Sequence, residues 1–245
     1  MIKYLIFLLS LSTTLSAQIM LPAYQGIQYK YDTTPVFCAS AGSVATTVVD
    51  VTSTTGKIWM DRNLGATQVA TSSTDANSYG DLYQWGRLSD GHQCRNSGTT
   101  STLSSSDVPE NANFIFAPNN SPYDWRSPQN TNLWQGVNGV NNPCPTGYRI
   151  PTETEWIAER ASWSTQNAVG AFASPLKLPL AGYRSPLGTN TSGLLLGGGS
   201  YGEYWSSTQY LGIGYNSREL IFDSSTAYIS DNRRAYGFSV RCIKN

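Results

Sequence analysis

Few residues in this chain are able to do acid–base or nucleophilic chemistry. Its one histidine, His92, sits in Asp90-Gly91-His92-Gln93. A Ser-His-Asp or Cys-His arrangement would have to use it, and no nucleophile-elbow motif accompanies it. The neighbouring Gly91 marks a turn, so His92 reads as a loop histidine rather than a general base. Glu153, Glu155 and Glu159 form a local group of carboxylates with acid–base potential. Helix capping and the positive end of a helix explain the first two, and Glu159 is expected on a solvated face or in a local ion pair. Gly197-Gly198-Gly199 lacks the following Lys and the strand–helix context of a phosphate-cradling loop, and reads as a turn. Cys38, Cys94, Cys144 and Cys242 stand outside CxxC spacing, which argues against a zinc knuckle or a thioredoxin-type site. The sequence therefore assigns no catalytic residue, no metal ligands and no cofactor.

Composition narrows the partners. The 245 residues carry 16 Lys+Arg against 16 Asp+Glu, for a formal net charge of zero. Without a basic stripe to neutralise phosphates, a nucleic-acid partner is not expected. Ser, Thr, Asn, Gly and Tyr dominate the polar residues. Tyr supplies rigid amphipathic contact area while Ser, Asn and Gly adapt, as in paratope-like surfaces. Ordinary loop-rich secreted proteins share the same palette. The expected partner is a surface protein or a glycan.

The start of the chain reads as an export signal over residues 1–17. Lys3 gives the positive start, residues 4–9 form an apolar run too short to span a bilayer, and Ser16-Ala17 suits a signal peptidase. The mature chain is then expected to begin at Gln18, secreted or on the extracytoplasmic cell surface, with no stable membrane span. No Cys at the cleavage site suggests a lipid anchor. In an exported chain four cysteines suggest disulfides, with three pairings open. The working choice is Cys144 with Cys242 and Cys38 with Cys94. The first closes a long loop, worth ~4–5 kcal/mol in the chain-entropy model.

These residues need elements to position them. Residues 18–54 read as a lead or linker containing a possible strand at 46–52, and a second strand is expected at 57–63. Residues 81–85 look like a short helix, with Leu82 and Trp85 on one face. Residues 95–142 form a long Ser/Thr/Asn/Pro-rich excursion whose aromatics, Phe114, Phe116, Tyr123, Trp125 and Trp134, must pack somewhere. The clearest helix starts at the capping box Thr152-Glu153-Thr154-Glu155 and runs to about Trp163. Short strands follow at 176–180, 203–207, 219–222, 227–230 and 237–243. Helix first and strands afterwards gives an α+β fold class.

Several segments together carry a family resemblance. They are Ile58-Trp59-Met60-Asp61-Arg62-Asn63-Leu64-Gly65, Tyr79-Gly80-Asp81-Leu82-Tyr83-Gln84-Trp85-Gly86-Arg87, Cys144-Pro145-Thr146-Gly147-Tyr148-Arg149-Ile150-Pro151-Thr152, Tyr204-Trp205-Ser206-Ser207 and Gly237-Phe238-Ser239-Val240-Arg241-Cys242. This series resembles the Fibrobacter succinogenes major paralogous domain, a member of the C-type-lectin-like superfamily similar to formylglycine-generating, or sulfatase-modifying, domains. The resemblance covers residues 55–245. It implies a C-type-lectin-like fold with short helices, antiparallel strands and long irregular loops, in which residues 57–63 lie near 237–243. Formylglycine-generating relatives use a close cysteine pair late in the domain, whereas this chain has only Cys242 there. Calcium-dependent lectins use Glu-Pro-Asn or Gln-Pro-Asp with Trp-Asn-Asp, and none of these triplets occurs.

The C-terminus also resembles the variable proteins of diversity-generating retroelements, in Bacteroidetes-like bacteria and their phages. That likeness implies a scaffold of residues 204–207, Leu220, Phe222 and 237–242 displaying residues 210–216 and 224–236. Adenine-directed mutagenesis of Asn codons, the mechanism in that family, cannot generate Lys, Gln, Glu, Trp or Met, and residues 210–217 and 224–236 contain none of them. The expected ligand-binding residues are Tyr210, Ile213, Tyr215, Asn216, Tyr228, Ser230, Asp231, Asn232, Arg233 and Tyr236. Tyr204, Trp205, Phe222 and Phe238 are expected in the core. The chain then reads as a non-catalytic ligand-binding protein, with a divergent oxidase or a purely structural surface component as the alternatives.

Overall fold

The computed structural model describes Cys38 and residues 45–116, 123–187 and 193–245. The expected export signal and most of the lead lie outside the described residues. In chain order the strands are β1 (Asp50–Thr52), β2 (Ile58–Met60), β3 (Tyr83–Gln84), β4 (Thr99–Thr100), β5 (Phe114–Ile115) and β6 (Tyr148–Arg149). The helices α1 (Glu153–Ala161) and α2 (Ala168–Ala173) come next. The second run of strands is β7 (Tyr183–Arg184), β8 (Leu195–Leu196), β9 (Gly202–Gln209), β10 (Asn216–Phe222), β11 (Ala227–Arg233), β12 (Gly237–Phe238) and β13 (Ile243–Lys244). Strands outnumber helices and all but one pairing is antiparallel, so the fold is α+β.

Alternation along three strands builds the core. Successive side chains of a strand point to opposite faces. Trp59 and Met60, Tyr204 and Trp205, and Cys242 and Ile243 are each split this way. Met60, Trp205 and Cys242 enter one cluster with Trp85, Trp125, Trp134 and Phe238. Trp59, Tyr204 and Ile243 enter the other with Trp156, Leu220 and Phe222. All seven tryptophans are buried. Five indoles donate to backbone carbonyls, which removes the desolvation cost of a buried N–H; Trp205 to Tyr83 and Trp156 to Trp205 are two of them.

The ends of the domain meet. The sheet order β1-β2-β13-β6 pairs Ile243 with Trp59, and Met60 N donates to Cys242 O at 2.9 Å. Arg241 is buried beside this junction, donating to Asn63 Oδ1 and to Leu176 O. Asn63 Nδ2 in turn donates to Tyr79 O. Gly65 has φ +77°, and a Cβ there would fall 2.2 Å from Asp81 Cγ, so only glycine fits. The quoted motif residues here are packing residues.

Helix α1 forms at the expected capping box. Thr152 Oγ1 accepts from Glu155 N, and Glu155 accepts from Thr152 N while gripping Arg149 at 2.7 and 2.8 Å. Other local expectations need correction. Residues 81–85 are not helical: Tyr83 and Gln84 pair with Phe238 and Gly237. Leu82 and Trp85 are both buried, so their apolar character reported burial and not helical period. Residues 176–180 form no strand: Leu176 lies in a turn, Lys177 has φ +46°, Leu178 N and Leu180 N donate to Ala171 O and Ser73 O, and Pro179 has no N–H. Residues 237–243 split into β12 and β13, which belong to different sheets. Glu159 does not face solvent; it is buried on α1, where Trp163 Nε1 donates to it. Helix α2, capped by Asn167, is not legible in the sequence because its Gly and Ala residues carry little periodic signal.

Two disulfides tie the chain, Cys38 to Cys94 and Cys144 to Cys242. The latter part of the lead docks on the domain: Thr46 Oγ1 accepts from Gly65 N, and β1 pairs with β2. No helix among the described residues is long and apolar enough to cross a membrane. In the excursion 95–142, Phe114, Trp125 and Trp134 are fully buried.

Candidate functional site

The antiparallel sheet β11-β10-β9 positions most of the expected binding residues, and its register assigns each to a side. Directly paired residues share a face. Ala227, Phe222 and Gly202 form a row on one side, followed by Ile229, Leu220 and Tyr204. This side seals onto α1, and Arg160 Nη1 donates to Ala227 O. On the opposite side, Tyr228, Ile221 and Glu203 form one row. Ser230, Glu219 and Trp205 form the next, with Asn232 and Ser217 beyond.

The expected binding residues therefore do not form a single surface. Tyr228, Ser230 and Asn232 share the open side, with Tyr228 49% exposed. Asp231 points the other way, where Arg218 bridges it at 3.6 Å and Glu153 at 3.3 Å. Tyr210 lies 4.3 Å under that Arg218 guanidinium, and Asn216, itself buried, donates to Asp231 at 2.6 Å. Tyr215 packs on Tyr123, whose ring lies 4.1 Å from the Arg233 guanidinium. Ile213 sits in the exposed β9–β10 loop. That loop is at the Asn216–Arg233 end of the sheet, five β11 residues from Tyr228, or roughly 17 Å at strand spacing. Tyr236 precedes β12, with its ring 6.0 Å from Tyr183 and 5.5 Å from Phe238.

Beneath the open side lies a feature that strand alternation did not disclose. Register places Glu203 and Glu219 on the side of the sheet away from α1, where charged side chains ordinarily face solvent. They are instead 6% and 1% exposed. Tyr183 and Tyr236 stand over this side of the sheet, each with its phenol pushed up by burial and by the Glu203 charge. Burial holds the Glu203 carboxyl well above the ordinary carboxylate range. Burial, and then the neighbouring Glu203, do the same to Glu219. Asn232 Nδ2 donates to Glu219 Oε1 at 3.3 Å, while Glu219 Oε2 has no hydrogen-bond partner among the described residues. Neither carboxylate has a Lys or Arg within ion-pair distance among the described residues. Sequence reasoning missed Glu203, Glu219 and Tyr183, because their proximity depends on the β7–β12 sheet lying against β9.

The histidine is spoken for. His92 is fully buried, its Nδ1 is 2.6 Å from Asp90 Oδ1, and its Nε2 accepts from Gln84 N at 3.0 Å. That pattern holds the neutral ring with the proton on Nδ1. Burial, then the Arg87 charge, lowers its pKa to about 4. No ring nitrogen is left for proton transfer to a substrate. All four cysteines are in disulfides. Among the described residues no group of three or more His, Cys, Asp or Glu is placed to hold a metal ion.

No protein-family model, curated protein or solved structure matches this chain.

Proposed function

We propose that this chain is an exported, non-catalytic ligand-binding module of C-type-lectin-like architecture, similar to the variable proteins of diversity-generating retroelements. Its ligand is a surface protein or glycan, and no nucleic acid. The observation that carries the reading is the open side of the β11-β10-β9 sheet. There Tyr228, Ile221, Ser230 and Asn232 stand in register on strands whose reverse side is sealed onto α1. Side chains on strands backed by a packed core lose little freedom when a partner docks, so the face is preorganised for recognition. Tyr and Asn give it amphipathic contact area and hydrogen bonding.

The disulfides favour this reading over a formylglycine-type oxidase. Such an oxidase uses a cysteine pair late in the domain, and here Cys242, alone in that region, is bonded to Cys144. Two disulfides also suit an oxidising compartment and hence export.

The test is a screen of the purified chain against glycan and bacterial surface-protein arrays, repeated with Tyr228→Ala and Ser230→Lys. Saturable binding that falls ten-fold or more in both variants, with melting unchanged, is expected. Binding that ignores both substitutions, or no saturable ligand at all, overturns the proposal. Sequencing the gene from many isolates tests the retroelement likeness separately. Substitutions concentrated at 210–216 and 224–236, with Trp205, Phe222 and Cys242 constant, are expected, and an even spread removes it.

A further inference from the structure

Beneath the open face lies a buried pair of acids that no Lys or Arg balances among the described residues. Glu203 lies diagonally across the β9–β10 ladder from Glu219, two pairs over in register. Glu219 is buried with Oε2 unpartnered among the described residues, although buried carboxylate oxygens are ordinarily satisfied. Ser239, whose N–H donates to Glu203 O at 3.0 Å, is also fully buried, and its Oγ likewise has no partner among the described residues. Beside the carboxylates stand the rings of Tyr183 and Tyr236. Two desolvated acids with a free acceptor and aromatic faces alongside are complementary to an organic cation. They are poorly suited to Ca²⁺, which takes about six to eight oxygens.

We infer that the Glu203–Glu219 pair, flanked by Tyr183 and Tyr236, is the seat for a basic group of the ligand, a lysine ammonium or an arginine guanidinium. This deepens the proposed function by naming the chemistry of its ligand, and it rests on the same sheet face. In the free protein the two acids hold protons. A bound cation stabilises their ionised forms, so seating it releases protons, and affinity rises with pH. The other titratable groups packed over the pair are Tyr183 from β7 and Tyr236 before β12, with Tyr201 beside Tyr183, while Asp231 and Arg233 of β11 lie near it from the opposite side of the sheet. Burial raises the Tyr183 and Tyr236 phenols above their ordinary range, so the change with pH is assigned to the two glutamates.

The experiment titrates the full chain with Nα-acetyl-lysine methylamide and Nα-acetyl-arginine methylamide, following the tyrosine ring signals by NMR. Nα,Nε-diacetyl-lysine methylamide and calcium chloride are the controls. At least one cationic probe is expected to saturate and to tighten several-fold between pH 6 and pH 9. Binding should weaken ten-fold or more in Glu203→Gln and Glu219→Gln. Both variants keep the side-chain shape, and their melting curves confirm folding. The diacetylated probe should not bind. Silence of both cations, equal binding in the Gln variants, or a response to calcium in their place overturns the inference. The two readings fail separately. A glycan captured through Tyr228 with the cationic probes silent overturns the cation seat alone. Cation binding that needs Glu203 and Glu219, with no ligand on the arrays, upholds the seat and overturns the receptor reading.

Discussion

Glu219 and Glu203 show how far burial moves a single carboxyl. Burial pushes Glu203 up to about 8, from an ordinary 4.5. The folded state therefore holds a proton that the unfolded chain has released above about pH 4.5, and this contribution to stability declines as pH rises from there towards 8. Asp81 adds to the same trend, because burial raises it to about 7. His92 works in the opposite sense over a lower range. With its folded pKa at about 4, below the ordinary 6.5, its contribution is lost as pH falls from 6.5 towards 4. The wild-type chain is expected to melt several degrees lower at pH 9 than at pH 6. Glu203→Gln should show a clearly smaller drop, since each kcal/mol is worth about 2–4 °C in a chain of this size. Calorimetry at the two pH values checks it, and parallel curves for both proteins would remove Glu203 as the cause.

Short elements here gain their stability from what they touch. Helix α1 has only nine residues, a length at which an isolated helix is marginal in water. Its cap, the Arg149–Glu155 pair and the burial of Trp156 hold it in place. Thr152→Ala removes the acceptor for Glu155 N and should cost about 1 kcal/mol, read as a lower midpoint in urea with an unchanged slope. A loss near zero would mean that Arg149 alone anchors Glu155. The sheet β11-β10-β9 is the element on which the proposed recognition rests. Its bulge between Ser217 and Glu219 shifts the β9 register, so that Trp205 pairs with Glu219 while Gln209 meets Ser217.

The whole domain is closed by long-range links. The Cys144–Cys242 bridge spans a sequence separation of 98 and Cys38–Cys94 one of 56. In the chain-entropy model these are worth ~4.7 and ~4.2 kcal/mol. The double substitution Cys144→Ala/Cys242→Ala should therefore destabilise the chain by ~4 kcal/mol or more, because it also opens the core cluster to which Cys242 belongs. Cys38→Ala/Cys94→Ala should cost less, and should free the lead from the domain. Urea titrations of both variants, with protease sensitivity of residues 18–54 as a second readout, check the order. A larger loss in the Cys38–Cys94 variant would mean that the lead contributes more to the core than its described contacts indicate.

What the amino-acid order determined by itself is the local chemistry. The Thr152 capping box, the alternating strands after Gly202 and the buried character of Tyr204, Trp205, Phe222 and Phe238 follow from neighbours a few residues apart, and the α+β class follows from their succession. Four cysteines in a chain with an apparent export signal pointed to disulfides, though their partners remained a choice among three. The tertiary structure decided which side of a strand is outside. Glu203 and Glu219 lie buried because Tyr183 and Tyr236 come from other parts of the chain to stand over them. Residues 81–85 read as helical until Gly237–Phe238 paired with them. Residues 228–233 read as one displayed run until strand pairing sent alternate side chains to opposite faces. In each case the deciding contact comes from beyond the segment's own neighbours, and desolvation, which sets the pKa of a buried acid, depends on every group that closes over it.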